Sequence, residues 1–453
     1  MTSIRFLGAA NTVTGSRYLV TTADKNILID CGLFQGLKSL RLKNWDKFPA
    51  EPAKIDCLIL THAHLDHSGY IPRLIKNGFQ GKIYCTPATK ELCKILLLDA
   101  AHIAEEEATY LNKHKRSKHQ PALPLFTSED AQASLEQFIE IPFNQTVALD
   151  ETTHFEFQYA GHILGAASVI LTTDNCKIAF TGDVGRPNDP IFFPPSGIPQ
   201  VDYIVTESTY GNRRHKNRDP SDELERIISE VVAKKGSLII PTFAVGRAQS
   251  LMYYLWKLKK ENRIPAVPMY LNSPMANNIN EIWTRYHSLH RLTKEESKDI
   301  CDLVTYVQSV DESKALNEGE KSVIILSASG MLTGGRILHH LKKFGPDPRS
   351  TILLSGFQAA GTRGEALERG ANELKIHGDY IPINAKVETL DNVSAHADYK
   401  EMIDWFQSSK IQPKKIFITH GEPSASDEFR RRLGEALGWN CVVPSLEETV
   451  ELD

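Results

Sequence analysis

A chain of 453 residues can bury a large core, as two domains or one elaborated one. Its 52 basic and 56 acidic residues leave a net charge of −4, so no global basic field advertises nucleic acid and any such site has to be local. Seven cysteines without a CxxC or regular spacing exclude a disulfide framework and read as reduced core thiols.

From the N-terminus, MTSIRFLGAANTVTG lacks the apolar run of a signal peptide, and no later window reaches the length of a membrane span. A soluble cytoplasmic protein is expected. Ile4 to Leu7, Tyr18 to Val20 and Asn26 to Ile29 read as short strands, the third ending at Asp30. Cys57 to Leu60, apolar throughout, reads as a buried strand that opens into THAHLDH, Thr61 to His67. His62, His64, Asp66 and His67 lie within six positions, and imidazole with carboxylate suits a first-row divalent ion, zinc above all. His62 and His64, two apart, hold one ion from one side, and Asp66 and His67, adjacent in a turning loop, face a second. A solvated polar loop is the plain alternative, but chance rarely concentrates such residues straight after a buried strand.

IPRLI reads as a short helix, and Thr86-Pro87 opens a long one, threonine suiting the N-cap and proline the first helical position. Its apolar stripe runs through Leu92, Ile95, Leu96 and Ile103 before a polar segment ending in NKHKRSKHQ. That basic run reads as a solvated helix end or, more sharply, as an RNA-facing lobe. Strands resume at Phe155: His162 follows one of them between two glycines, KIAFT delivers Gly182-Asp183, and VDYIVT ends at Glu207.

A different rhythm starts near Asn212. The basic loop Arg213, Arg214, His215, Lys216 and Arg218 precedes a helix from Asp222 to Lys235. SLIIPTF, a helix from Arg247 to Glu261, VPMYL, a helix from Asn277, SVIIL and STILL then alternate as in a covered parallel sheet. This reads as an inserted α/β domain at 211–388, between core segments 1–210 and 389–453. Three of its turns, Phe243 to Arg247, Ser327 to Gly335 and Gly356 to Gly364, could offer backbone N–H groups to phosphate, although none fits a phosphate-loop fingerprint. Arg247, Ser327, Ser329, Gly330, Ser355 and, further on, Ser394 are the candidate phosphate or RNA contacts. Short strands return past Ile383, SAHAD holds His396, and KIFIT ends in His420-Gly421-Glu422.

Asp30, His62, His64, Asp66, His67, His162, Asp183, Glu207, His396 and His420 thus lie nearly all at strand ends, as on one catalytic rim. Two ions bridged by a carboxylate need about seven ligands and sit about 3.5–4 Å apart, activating water between them. His62, His64 and His162 are assigned to the first ion, Asp66, His67 and His420 to the second, and Asp183 to the bridge. Asp30 would orient a ligand histidine through its other ring nitrogen. His396, not spent on metal and paired with Glu207, suits a general acid for the leaving oxygen.

In this order these residues resemble the metallo-β-lactamase superfamily, and within it the β-CASP nucleases. HxHxDH at 62–67 with His162 and Asp183 carries the first likeness. Glu207 in ESTYG, His396 in SAHAD, His420 in THGE and the runs SASGMLTGG and GFQAAGTRG carry the second, which extends from LGAANTVTGS to THGEP. The resemblance implies a four-layer αβ/βα core built from both chain ends and capped by the inserted domain, with the active site in the cleft between. It implies two Zn2+ per chain and hydrolysis of RNA phosphodiesters to 5′-phosphate and 3′-hydroxyl ends, in endo- or exonuclease mode. In that family a histidine at position 420 goes with RNA, and a valine with DNA-acting members. The expected substrate is single-stranded RNA; a homodimer or RNA-processing partner proteins are left open, and no membrane is involved. With no KH-type domain ahead of the core, RNA specificity is expected from the insert or from partners.

Two departures, Asn272 where aspartate is expected before SPMA and Glu365 where arginine is common after GTRG, bear on substrate grip rather than metal chemistry. The competing readings are a thioester or lactam hydrolase, which leaves the insert and His396 without a role, and a DNA-acting β-CASP nuclease. A non-catalytic scaffold should have lost ligands. An oxygen-reducing diiron protein would resemble HxExD, whereas position 64 is histidine.

Overall fold

The computed structural model describes residues 1–453 apart from Asn217, Pro274 and Glu320 and the side chains of Ala276 and Asn277. Pro274 of the SPMA run therefore lies outside the described residues. The chain divides into two compact units, Met1–Arg214 with His396–Asp453, and His215–Ala395.

Two seven-stranded sheets build the first unit. One runs Thr449–Leu452, Thr2–Phe6, Tyr18–Thr21, Asn26–Ile29, Cys57–Ile59, Lys82–Cys85, Phe138–Glu140. The other runs Cys441–Val442, Lys415–Ile418, Tyr203–Thr206, Lys177–Phe180, Ala167–Thr172, His154–Tyr159, Val147–Ala148. Alternate side chains of each strand go to opposite faces. Ile27, Ile29 and Ile59 of the first sheet meet Val169, Leu171, Ile178, Phe180 and Val205 of the second in one buried core. The residues between them, Ile170, Ala179 and Ile204, face away and pack with Met402, Phe406, Phe429 and Leu433 of the helices Tyr399–Ser409 and Pro423–Leu437. Strands covered on both faces carry apolar residues at every position, which is why they read as unbroken apolar runs.

The helix Pro87–Lys113 covers the first sheet and starts as expected, with the Thr86 side chain accepting from Thr89 N–H. Its apolar stripe ends early, because Leu92 and Leu96 are buried but Ile103 is exposed. A 27-residue helix runs about 40 Å and outreaches strands of three or four residues, so its last turns have no sheet beneath them. The basic run lies exposed at that far end.

The second unit holds a six-stranded sheet in the order Thr305–Tyr306, Met269–Asn272, Ile324–Ser327, Leu238–Pro241, Thr351–Leu354, Lys386–Thr389, with every neighbouring pair parallel. Ile239, Ile325 and Ile352 pack against Ile337, Leu338 and Leu341 of the helix Ile337–Phe344. The strand Lys386–Thr389 belongs to this sheet, and the unit runs on to Ala395. Asn272 sits fully inside it. Its Nδ2 donates to Ser313 Oγ at 2.7 Å and to His340 Nε2 at 2.7 Å, while its Oδ1 accepts from Arg336 Nη1 at 2.9 Å. His340 Nδ1 donates in turn to Asn317 Oδ1 at 2.7 Å. An aspartate at 272 could not donate to a neutral imidazole, so amide and histidine answer one another here. Glu365, the other departure, pairs with Arg369 at 2.5 Å.

No described helix is long and apolar enough to cross a membrane. All seven cysteines are unpaired, Cys301 and Cys441 half-buried and the others buried.

Candidate metal centre

Parallel pairing brings the C-terminal ends of Asn26–Ile29 and Cys57–Ile59 to one edge of the first sheet, and those of Lys177–Phe180, Tyr203–Thr206 and Lys415–Ile418 to one edge of the second. Crevices beyond such ends are where α/β folds bind ligands. Each strand delivers its polar residue within three positions of its last apolar one: Asp30, the 61–67 loop, Asp183, Glu207 and His420. Two are held in the left-handed region, Asp30 at φ 59° and His420 at φ 49°. Aspartate tolerates that conformation better than most residues.

Side chains converge on two points. His62 Nε2 and His162 Nε2 each lie 3.2 Å from His64 Nδ1 and 3.4 Å from Asp183 Oδ2. A tetrahedral ion with bonds of about 2.0–2.1 Å has ligand-to-ligand edges of about 3.3 Å, so this quartet has the dimensions of a zinc site. At the second point His67 Nε2 lies 3.1 Å from His420 Nε2 and 3.2 Å from Asp183 Oδ1, and His420 Nε2 lies 3.4 Å from Asp66 Oδ2. Asp183 offers one oxygen to each group. Its Oδ1 is buried without a hydrogen bond, a costly position for an anionic oxygen unless a cation takes it.

The electrostatics fit a cation. Burial holds His62 down to about 3, helped by His67 and opposed by Asp183, and burial with His396 pushes His162 well below its usual value. These imidazoles are neutral and keep their lone pairs for a ligand bond. Burial would raise Asp183, but His420, His67, His62 and His396 outweigh it and keep the carboxyl ionised. His67 is pushed up: burial opposes its charge, and Asp183 with Asp30 outweighs burial.

Outer groups fix the inner ones. Asp30 Oδ2 accepts from His67 Nδ1 at 2.7 Å and from Thr61 Oγ1 at 2.9 Å, and its Oδ1 accepts from Thr61 N–H at 2.8 Å. Thr209 Oγ1 lies 3.1 Å from His420 Nδ1. Neither Thr61 nor Thr209 is a metal-ligand type in the sequence, although both stand beside candidate ligands or their partners in THAHLDH and ESTYG. His396 stands outside both quartets. Glu207 Oε2 accepts from its Nδ1 at 2.9 Å, Glu207 Oε1 accepts from Val184 N–H at 2.7 Å, and the ring lies 3.9 Å from Asp183 Oδ2.

The candidate phosphate contacts belong to the second unit, where all but Ser394 follow or end its middle strands. Ser327 Oγ donates to the Asn272 carbonyl at 3.2 Å and Ser355 Oγ to the Pro241 carbonyl at 3.3 Å, so both protons are committed. Ser329 pairs with Thr333 at 2.9 Å, and Ser394 is buried. Arg247 is buried too, its Nη1 donating to the Val393 carbonyl at 2.5 Å. Gly330 lies so close to Phe243 that a Cβ would meet its backbone nitrogen at 3.0 Å.

Fold and ligand set together define a metal-dependent hydrolase of the metallo-β-lactamase superfamily, whose profile matches residues 11–228. More narrowly, the chain belongs to the β-CASP branch: a Beta-Casp domain profile matches residues 248–367, and a profile described as a Zn-dependent metallo-hydrolase RNA specificity domain matches 380–444. The ribonuclease TTHA0252 of Thermus thermophilus is 34% identical, with 92% of each chain covered. The transcription termination factor FttA of Methanocaldococcus jannaschii is 31% identical over 94% of this chain and 68% of its own. An RNase J-like protein of the same organism is 29% identical over 98% of both. A solved Enterococcus faecalis protein of unknown function shares the fold along the full length of both chains, with a TM-score of 0.52 at 13% identity.

Proposed function

We propose that this protein is a zinc-dependent ribonuclease that hydrolyses RNA phosphodiester bonds and leaves 5′-phosphate and 3′-hydroxyl ends. The observation that carries the reading is the pair of donor quartets sharing Asp183 beside a histidine that neither uses. His62, His64, His162 and Asp183 would hold one zinc, and Asp66, His67, His420 and Asp183 a second. Bound there, zinc supplies a Lewis acid for the phosphoryl oxygen and lowers the pKa of water.

The chain's own groups do the rest. Asp30 and Thr209 keep His67 and His420 turned so that each Nε2 faces inward. Asp66 and Asp183 supply the negative charge that holds cations in a buried place. Glu207 accepts a hydrogen bond from Nδ1–H of His396, so the proton given to the departing 3′-oxygen as the P–O bond breaks comes from Nε2. Names and domain descriptions of the relatives support RNA as the substrate.

Metal analysis of the purified protein with cleavage of end-labelled single-stranded RNA and matched DNA tests this reading. RNA cut to 5′-phosphorylated products, stopped by chelation and restored by zinc, is the expected result. Intact RNA in the presence of zinc-loaded protein, or a His396→Ala variant as fast as wild type, overturns it.

A further inference from the structure

Between Asp30 and the Cys57–Ile59 strand the chain makes an excursion that the metal chemistry does not use. Its short helix, Lys38–Lys43, buries none of its residues. Leu37, Leu42 and Trp45 are 44, 54 and 49% exposed, three large apolar side chains within nine positions. Around them stand Lys38, Arg41, Lys43 and Lys47 against Asp46, with Glu51 near enough to feel the charge of Lys47, and none of the four cations is within ion-pair distance of a carboxylate among the described residues. Leu37 is the N-cap of the helix, and past its C-cap Asn44 the chain keeps turning, Trp45 N–H donating to the Leu42 carbonyl at 2.9 Å, so the indole follows the last turn that carries Arg41 and Leu42.

This knuckle is fastened to the site. Cys31 N–H donates to the His67 carbonyl at 2.7 Å and Leu33 N–H to the Leu65 carbonyl at 2.8 Å, tying its base to the loop of Asp66 and His67. At its far end Asn44 Oδ1 accepts from Phe34 N–H at 3.0 Å, and Asn44 Nδ2 donates to the Phe34 carbonyl at 2.8 Å. Arg17, buried under Phe34, Phe48 and Tyr70, donates to the Gly32 carbonyl at 2.9 and 2.7 Å and to Asn44 Oδ1 at 3.3 Å. Trp45 follows directly on Asn44, so its backbone is anchored; its ring is half exposed, with the Arg73 guanidinium 6.0 Å over its centroid as a further cation beside it.

Resting on the ribonuclease reading, we infer that the exposed Trp45 and the cations Lys38, Arg41 and Lys43 form a stacking platform for single-stranded RNA on the rim of the metal site. An exposed aromatic among uncompensated cations is what single-stranded nucleic acid uses: the ring stacks a base of any identity and the cations track phosphates. The charge argues against a second copy, since a two-fold contact would set the same cations against themselves. The basic run at 113–118 is the weaker candidate, because about 40 Å of helix separates it from the end of Pro87–Lys113 that starts at the sheet edge.

The test uses the full chain loaded with zinc and RNAs of 20 and of three nucleotides. Trp45→Ala should raise KM on the longer RNA about 5- to 150-fold, the worth of one stacked base. The penalty should fall on KM rather than kcat, shrink on the trinucleotide, and be largely absent in Trp45→Phe. RNA should quench the fluorescence of wild type more than that of Trp45→Phe. Lys38→Ala with Arg41→Ala should flatten the slope of log K against log salt by about 0.7 per lost contact. RNA cleaved by wild type with an unchanged KM and quench in the variants overturns the platform and leaves the ribonuclease standing. A change confined to sedimentation, with RNA binding intact, would make the patch a protein contact and overturns it as well. Absence of any RNA binding by wild type overturns both readings.

Discussion

Asp30 and His67, 37 positions apart in sequence, meet through a 2.7 Å hydrogen bond from the imidazole Nδ1 to the carboxylate. The same carboxylate takes two bonds from Thr61, so it sets the ring of one candidate ligand and the start of the loop that carries four of them. Removing such a partner costs metal affinity about 10- to 100-fold in comparable sites. Asp30→Ala should lose that much in a competitive chelator titration. Asp30→Asn should lose less stability than Asp30→Ala, because its side chain still accepts from Thr61 and tolerates the left-handed backbone at φ 59°. Equal affinities for wild type and Asp30→Ala would refute the role.

Ligand removal should separate the two quartets. His162→Ala takes a donor from one and His420→Ala from the other, so each should halve the zinc content measured by elemental analysis. Asp183→Ala, which removes an oxygen from both, should lower it further. His396→Ala should keep full zinc and drop kcat about 10²- to 10⁴-fold, the worth of a positioned general acid. Zinc lost in His396→Ala would instead make that residue a ligand.

Much of this centre was legible because its residues are local or sit at a repeated place. THAHLDH concentrates donors in one turn, and Asp183, Glu207 and His420 each follow an apolar strand, where a buried parallel sheet ends in a crevice. What sequence could not show depends on distant contacts. Arg17 looks like a surface cation, yet it is buried under three aromatic rings and bonded to Gly32. Ile103 fits the helical period but extends past the sheet it should have covered. Ser327 and Ser355 stand in turns rich in small residues, and only the fold reveals that backbone carbonyls already hold their protons.

Gly32 marks the tightest approach behind the metal loop. A Cβ there would sit 1.6 Å from the Asp66 carbonyl oxygen and 2.7 Å from His67 N. Backbone cannot yield as a side-chain tip does, so Gly32→Ala must push the 30–33 and 64–67 segments apart. It should cost about 3 kcal/mol or more in chemical unfolding of the metal-free protein and weaken zinc binding as well. A stability within 0.5 kcal/mol of wild type, roughly the scatter of neutral surface changes, would show that the loops part freely.

His340 makes the second unit sensitive to acid. Burial, with His339 and Arg336, holds it down to about 4, and its Nε2 must stay unprotonated to accept from Asn272. Between pH 6.5 and 4 the unfolded chain binds a proton that the folded one refuses, so stability present above pH 6.5 drains away as pH falls. The loss should approach about 3 kcal/mol by pH 4. Asn272→Asp reverses the sign. A carboxylate facing Nε2 favours the imidazolium and raises the folded pKa above 6.5, so its stabilisation is present in acid and is lost as pH rises through that value. Urea unfolding monitored between pH 4 and 8 for both proteins checks this, and parallel pH profiles would exclude His340 as the titrating group.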